Sequence, residues 1–249
     1  MRIQLIACLM PAGWMLGTPV LAQSGSGVAI EGGAVWQTRN VARIPNTSAG
    51  SKFSLRNLQG GSAEAAWRVD ATWQVAERHH LRAMYAPYSI TRTGIPGSAL
   101  QFDGVTFAAG EPTRVHYRFD SWRLSYRYRF HHGGDWTWWG GATLKVRDAS
   151  IGLSQVGAEA VYDNTGLVPL LSLAGYRRLG DRWTLVLDAD GLLAPQGRAF
   201  DIALKARYAL GERLSLGLGV RTLEGGADND DVYTFAWQHY ALAEVSWRF

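Results

Sequence analysis

Residues 122–130 alternate without a break. Trp122, Leu124, Tyr126, Tyr128 and Phe130 fall on one face, with Arg123, Ser125, Arg127 and Arg129 on the other. A helix, repeating every 3.6 residues, would scatter both sets around its circumference, whereas a strand places every second side chain together. The same period returns at 202–210, where Leu204, Ala206 and Tyr208 oppose Ala203, Lys205, Arg207 and Ala209. The segment Leu-Ser-Leu-Gly-Leu-Gly-Val at 214–220 repeats it. A chain patterned this way builds a sheet, and the number and length of its strands decide which sheet.

The pattern predicts ten strands, at 28–40, 63–76, 80–93, 113–130, 136–150, 166–179, 182–194, 198–210, 213–224 and 232–249. In the sixth, the apolar run Val168 to Leu171 leaves the facing unassigned. Tight turns near Glu77-Arg78, at 131–135, near Gly180-Asp181 and near Gly211-Glu212 alternate with longer segments at 41–62, 94–112, 151–165 and 225–231. The short loop near Pro195-Gln196-Gly197 is the exception. Short turns on one side and long loops on the other suit a closed antiparallel transmembrane β-barrel, with the turns periplasmic and the loops extracellular.

The first 22 residues read as an export signal: Arg2 gives a positive start, 3–21 carries no charge, and Val20-Leu21-Ala22 ends on a small residue. Cleavage is expected before Gln23, which makes 1–22 a removed leader and 23–249 one barrel domain. Pro11, Gly13, Gly17 and Pro19 interrupt the stretch as a membrane helix, and a lipoprotein cut at Cys8 would leave no apolar core ahead of it. Cys8 is the only cysteine and leaves with the leader, so disulfides, thiol nucleophiles and cysteine metal sites are excluded. The formal net charge of +4, falling to +3 without Arg2, is evenly spread and argues against a nucleic-acid partner. No later segment is long and apolar enough for a membrane helix, so a membrane would have to be crossed by strands.

A soluble barrel or sandwich also alternates, but three observations favour the membrane. Several strands alternate over a dozen residues, against about 5–6 for strands of soluble domains and about 9–11 for a membrane crossing. Aromatics sit near the ends of the apolar face, at Trp122, Trp136, Trp138, Trp183, Trp237, Trp247 and Phe249, where two interfacial girdles would lie. A soluble core would also have to absorb most of 11 Trp beside faces rich in Gly, of which the chain has 29.

At the end of the chain Ala241, Ala243, Val245, Trp247 and Phe249 alternate with Leu242, Glu244, Ser246 and Arg248, and the last residue is Phe. This resembles the C-terminal strand of bacterial outer-membrane β-barrel proteins, whose terminal aromatic belongs to the signal for the barrel-assembly machinery. The usual upstream glycine of that pattern is missing after Gly226. The resemblance covers nearly the whole chain, is closest to the small OmpA-barrel-like class, and implies outer-membrane lipid and lipopolysaccharide as surroundings. It identifies an architecture shared by many functions.

Facing then puts Glu31, Glu64, Arg68, Asp70, Arg82, Arg123, Arg127, Arg129, Lys145, Arg147, Asp188, Asp190, Asp201, Lys205, Arg207, Arg221, Glu244 and Arg248 in the lumen. Two readings stand. In one, these charges pair within a filled interior, and the barrel acts structurally or through ligands at loops 41–62 and 94–112. In the other, they line a narrow anion-leaning channel.

A third, remoter reading is a lipid A-modifying enzyme or protease. Asp188 and Asp190, placed near the outer end of their strand, resemble the paired carboxylates of outer-membrane aspartyl-type proteases. The Asp-x-His pair of that family is missing, and salt bridges to Lys205 or Arg147 are the plainer expectation. His239 faces lipid beside Trp237, as the membrane-facing histidine of lipid A deacylases does, without an evident serine or acid partner. His79-His80 and His131-His132 are placed at turns and lack a third ligand for a metal. The stretch 225–231 echoes a calcium-binding nonapeptide once, where stacking repeats would be needed, and is read as a solvated loop. No cofactor is implied.

Overall fold

Alternation of this kind needs a wall with two different solvents, and the computed structural model of the chain, which describes residues 25–249, supplies one. In chain order the elements are β1 (Gly27–Arg43), β2 (Phe53–Ser54), α1 (Leu55–Gln59), β3 (Glu64–Ala76), β4 (His79–Ala86), β5 (Ser89–Gly94), β6 (Leu100–Phe102) and β7 (Val105–Phe107). The longer strands follow: β8 (Thr113–Gly133), β9 (Trp136–Gln155), β10 (Ala158–Leu179), β11 (Trp183–Ala194), β12 (Gly197–Ala209), β13 (Leu214–Asp228) and β14 (Tyr233–Arg248). The expected leader at 1–22 lies outside the described residues.

β4 and β5 pair in turn with β8 and form one interrupted stave, so the wall has ten staves. Each pairs antiparallel with its sequence neighbour, and β14 returns to β1 with Val28 opposite Trp247 and Ala34 opposite Ala241. Closure removes the sheet edges that a membrane would leave unsatisfied. No described helix is long and apolar enough to cross a membrane.

The wall is apolar outside and charged inside. Trp122, Leu124 and Tyr126 face out, while Arg123, Ser125 and Arg127 between them are buried. A soluble barrel would show the reverse, because exposing such a band to water forfeits the hydrophobic term that folds it. In lipid the outward band costs nothing. The barrel therefore spans a membrane, with both described ends and the short turns on the same side, the periplasmic side in the expected orientation.

The sixth predicted strand also finds its facing: Leu167 and Leu171 point out, and Leu170 is buried. The expected long segment at 151–165 is instead the continuation of β9 and β10 around a two-residue turn, Val156-Gly157. Gly157 takes φ +81°, the left-handed conformation that a tight hairpin needs. The stretch 225–231 is likewise mostly strand. Gly225 to Ala227 pair on both sides and Asp228 with Tyr233 of β14, and a turn follows in which the Asn229 side-chain oxygen accepts from the amides of Asp231 (3.1 Å) and Val232 (2.9 Å).

The two loops expected to present an open ligand surface, 41–62 and 94–112, fold inward. They carry β2, α1 and the β6–β7 hairpin, and bury Ile44, Phe53, Leu55, Leu100, Phe102 and Phe107 against Val35, Val115, Tyr117, Ile151 and Leu153 of the wall. Phe102 and Phe107 are 0% exposed. This apolar cap, the protein's one conventional core among the described residues, fills part of the extracellular half of the barrel.

Candidate functional site

Below the cap the lumen narrows to a lattice of ion pairs. Arg123 on β8 reaches Asp190 on β11 at 2.9 Å and Asp201 on β12 at 2.7 Å. Asp201 also accepts from Arg221 at 2.7 Å and from Arg68 at 3.0 Å. Glu31 on β1 binds Arg221 at 2.6 Å and Lys205 at 2.7 Å. Lys205 and Arg207 converge on Glu244. Towards the periplasm Arg127 holds Asp188 at 2.7 Å, and the Arg82 Nε donates to Asp70 at 2.6 Å. Ser172 and Thr143 hydroxyls donate to Asp190 at 2.6 and 3.1 Å.

The placement differs from the expectation in two ways. Asp188 and Asp190 lie in the middle of β11, and their partners are Arg127 and Arg123 across the lumen with Arg82 at 3.7 Å from each, and neither Lys205 nor Arg147 is bridged to them. Adjacent strands carry like charges side by side: Arg123 is registered opposite Lys145, and Asp190 opposite Asp201. Like charges directly opposite repel, so each reaches inward to the far wall. Alternation specifies which face a side chain takes; only the closed cylinder decides what it meets there.

Five of the expected lumen residues lie outside this lattice. Glu64 pairs with Arg92 at the extracellular rim, and Arg129 with Glu77 at a periplasmic turn. Arg248 donates to the Glu212 carbonyl at 2.9 Å at the same end. Lys145 and Arg147 point into a cavity above the lattice.

That cavity, of about 260 Å³, is lined by Tyr117, Phe119, Lys145, Arg147, Ile151, Tyr162, Asn164, Arg198, Leu223, Glu224 and Phe235, among others. A second, of about 140 Å³, opens below the lattice towards the periplasm and includes His80, Arg82, Arg127, Trp139, Tyr176 and Arg207. There His80 stacks on Trp139 with ring centroids 3.8 Å apart. The expected turn placement of the histidine pairs is corrected by this geometry. His79 and His80 open β4 and face opposite ways, His79 contacting the Tyr126 hydroxyl at 2.7 Å, and His131-His132 extend β8. Trp139 escaped the sequence reading because Trp136, Trp138 and Trp139 crowd together; parity alone marks the third as inward.

The outward aromatics form two levels. Trp67, Tyr85 and Trp122 pack together on one side, Tyr85 stacking on Trp122 at 3.8 Å, and Trp36, His239 and Trp237 form a second group at the same end of their strands. Trp136 with Trp138, Trp183 with Tyr208, Trp247 and Phe249 lie towards the periplasmic end. His239 Nε2 lies 3.1 Å from the Thr38 hydroxyl, and among the described residues no carboxylate hydrogen-bonds to it. No described group of three or more His, Cys, Asp or Glu is placed to hold a metal ion.

No protein-family model matches the chain, and no curated protein matches it in sequence. Among solved structures, the outer membrane protease OmpT of Escherichia coli superposes with a TM-score of 0.56 at 10% identity, covering 92% of this chain and 100% of that one. The Ail attachment invasion locus protein of Yersinia pestis covers 90% of this chain and 100% of its own at 7% identity and TM-score 0.38. Neisserial surface protein A covers 91% and 100% at 13% identity and TM-score 0.37. At 10% identity the OmpT likeness concerns fold alone, and it joins the inside-out wall, the ten staves and the closing β14–β1 pair. The chain is a small bacterial outer-membrane β-barrel.

Proposed function

We propose that the protein is a non-conducting barrel, sealed at its waist by ion pairs, that works through its structured extracellular half. The observation that carries this reading is Arg123, whose side chain is 1% exposed and bound by two carboxylates from two different strands. A guanidinium so enclosed, with Asp190 and Asp201 nearly as buried, leaves no room for a hydrated ion at that level. Such a plug suits a structural or surface-interaction role, with lipid and lipopolysaccharide around the wall and an extracellular ligand met at the cap and the cavity beside it. The same reading makes 1–22 the export leader, Phe249 part of the assembly signal and the two aromatic levels interfacial girdles.

The alternative of a narrow anion-leaning channel draws on Lys145 and Arg147, whose charges line the upper cavity, but the lattice stands between that cavity and the periplasmic one. Protease chemistry is not carried over from the OmpT likeness, since the sequence has no Asp-x-His and Asp188 and Asp190 are each engaged by arginine. The test is a planar-bilayer recording of the folded mature chain. A silent bilayer, with insertion verified by protease protection, is the expected result; steady anion-selective current would overturn the sealed-waist reading.

A further inference from the structure

The barrel wall is split on one side. β10 pairs with β9 along its whole length, but its pairing with β11 starts only at Leu171 opposite Gly191. Residues 168–170 of β10 and 192–194 of β11 therefore lie side by side without ladder pairing, and β10 then runs on past the β11–β12 turn. Pro169, which has no amide hydrogen to give, sits two residues above the last rung, where an edge strand tolerates it. A comparable split separates the upper part of β3 from β5, but α1 packs there, Gln59 donating to the Ile90 carbonyl at 3.5 Å. On the β10–β11 side the apolar cluster of the cap takes in Ala158, Ala160 and Tyr162 of upper β10, whereas α1 packs against β1, β5 and β8.

The split leads into the upper cavity, which is lined from both of its lips by Val168 and Leu192. Its outer lips are apolar: Leu167 is 64% and Leu193 71% exposed. Along β10 the outward residues change from Asp163 and Thr165 to Leu167, Pro169 and Leu171, so the split lies where the outer surface turns from polar to apolar.

Inside, two cations have no carboxylate in salt-bridge contact with them. Lys145 is 4% exposed, and no described carboxylate oxygen lies within 4.0 Å of its ammonium, which sits over the face of Phe119, 4.8 Å from the ring centroid. Arg147 donates to the Asn164 side-chain oxygen, while its buried Nε has no acceptor. Arg198, the other cation of the cavity, is already neutralised by Glu224 at 2.5 Å. Every cation of the waist lattice has a carboxylate, so these two stand apart. A cation–π contact and one amide offset only part of the desolvation of two buried charges.

We propose that this cavity binds an anionic amphiphile, its carboxylate or phosphate head held between Lys145 and Arg147 and its acyl tail passing through the β10–β11 split. The head supplies the missing counter-charge, with Arg147 able to offer a paired donor edge. The tail lies along Val168, Leu192 and the lips Leu167 and Leu193, continuous with the lipid-facing surface.

The experiment is equilibrium dialysis of radiolabelled dodecanoate against the folded mature barrel in phosphatidylcholine nanodiscs, with empty discs subtracted. Saturable binding near one per barrel is expected, weakened at least tenfold in Lys145→Met and in Arg147→Gln and retained in Lys145→Arg. Arg118→Gln, which removes a cation paired with Asp148 on the outer face, should bind as the wild type does. Dodecanol, without the charge, should compete at least tenfold less well, and inorganic phosphate, without the tail, should not compete. Val168→Trp, which crowds the split from within, should weaken dodecanoate at least fivefold. Folding of each variant is checked by its shift on unheated gels. Binding unchanged in Lys145→Met would overturn the head site. Phosphate competing as well as dodecanoate would reduce the ligand to a free anion and overturn the amphiphile. Unchanged binding in Val168→Trp would overturn passage through the split.

Discussion

Replacing Asp201 by Asn is the sharpest probe of the waist. One carboxylate there holds three guanidinium groups: Oδ1 accepts from Arg221 at 2.7 Å, and Oδ2 faces Arg123 at 2.7 Å and Arg68 at 3.0 Å. The amide keeps the volume but removes the charge and turns two N–H donors towards cations. Arg123 retains Asp190 at 2.9 Å and Arg221 retains Glu31 at 2.6 Å, whereas Arg68 is left with Glu31 at 4.0 Å. Breaking a buried pair costs about 3–5 kcal/mol when the remaining charge is stranded, and the two surviving carboxylates place this variant near the lower end, about 3 kcal/mol. Removing the stranded partner should return much of that. Arg68→Met on top of Asp201→Asn should recover about 1–2 kcal/mol, a coupling that separates a dry pair from general disturbance. The assay is urea unfolding of the barrel in phosphatidylcholine vesicles, followed by tryptophan fluorescence and by gel mobility without heating, with the free energy taken from linear extrapolation. A loss below about 1 kcal/mol, the range of solvated pairs, would show that water reaches Asp201 and refute the sealed waist.

Two further outcomes follow from the same geometry. Trp247→Asp with Phe249→Asp should impair outer-membrane insertion in cells far beyond the up to ~1 kcal/mol expected for a charge near the interface, since both side chains point outward beside β1 and β13 and are proposed to carry the assembly signal; normal assembly would remove that role. Phe102→Ala should cost about 3–5 kcal/mol of local packing and make residues 95–112 sensitive to protease in the intact barrel, because Phe102 is fully buried edge-on to Phe53; unchanged protease resistance would show that the cap does not depend on this core.

Strand number and inside-outside polarity were legible because both follow from a two-residue period, which the chain states plainly at 122–130 and 202–210. Errors concentrated where polarity stops being informative. At 151–165 the outward positions turn polar at Asp163 and Thr165 because the strand has risen above the lipid, so a continuous β10 reads as strand plus loop. The loops at 41–62 and 94–112 carry Phe53, Leu55, Phe102 and Phe107 without a long alternating run. Their burial comes from contact with Val115 and Ile151, far off in sequence, and no local signal announces it.

The candidate site was half legible for a related reason. Register along a single strand identifies Lys145 and Arg147 as inward, in the same way as Arg123 and Arg127, and gives all four equal standing. What separates them is the opposite wall. Arg123 and Arg127 reach Asp188, Asp190 and Asp201 on β11 and β12, while Lys145, although registered opposite Arg123, and Arg147 line the upper cavity, where Glu224 is already taken by Arg198. Inward cations on neighbouring strands are thus structural or available according to which carboxylates the closed barrel brings within their reach. The same closure leaves the β10–β11 split beside the available pair. A charge pattern that reads as one lumen network therefore divides into a lattice of ion pairs below and a cavity with unbridged cations above. On the proposed reading the seal keeps the upper cavity from being a path: a ligand held at Lys145 and Arg147 would have the outer leaflet or the extracellular mouth as its exits and the waist as its floor.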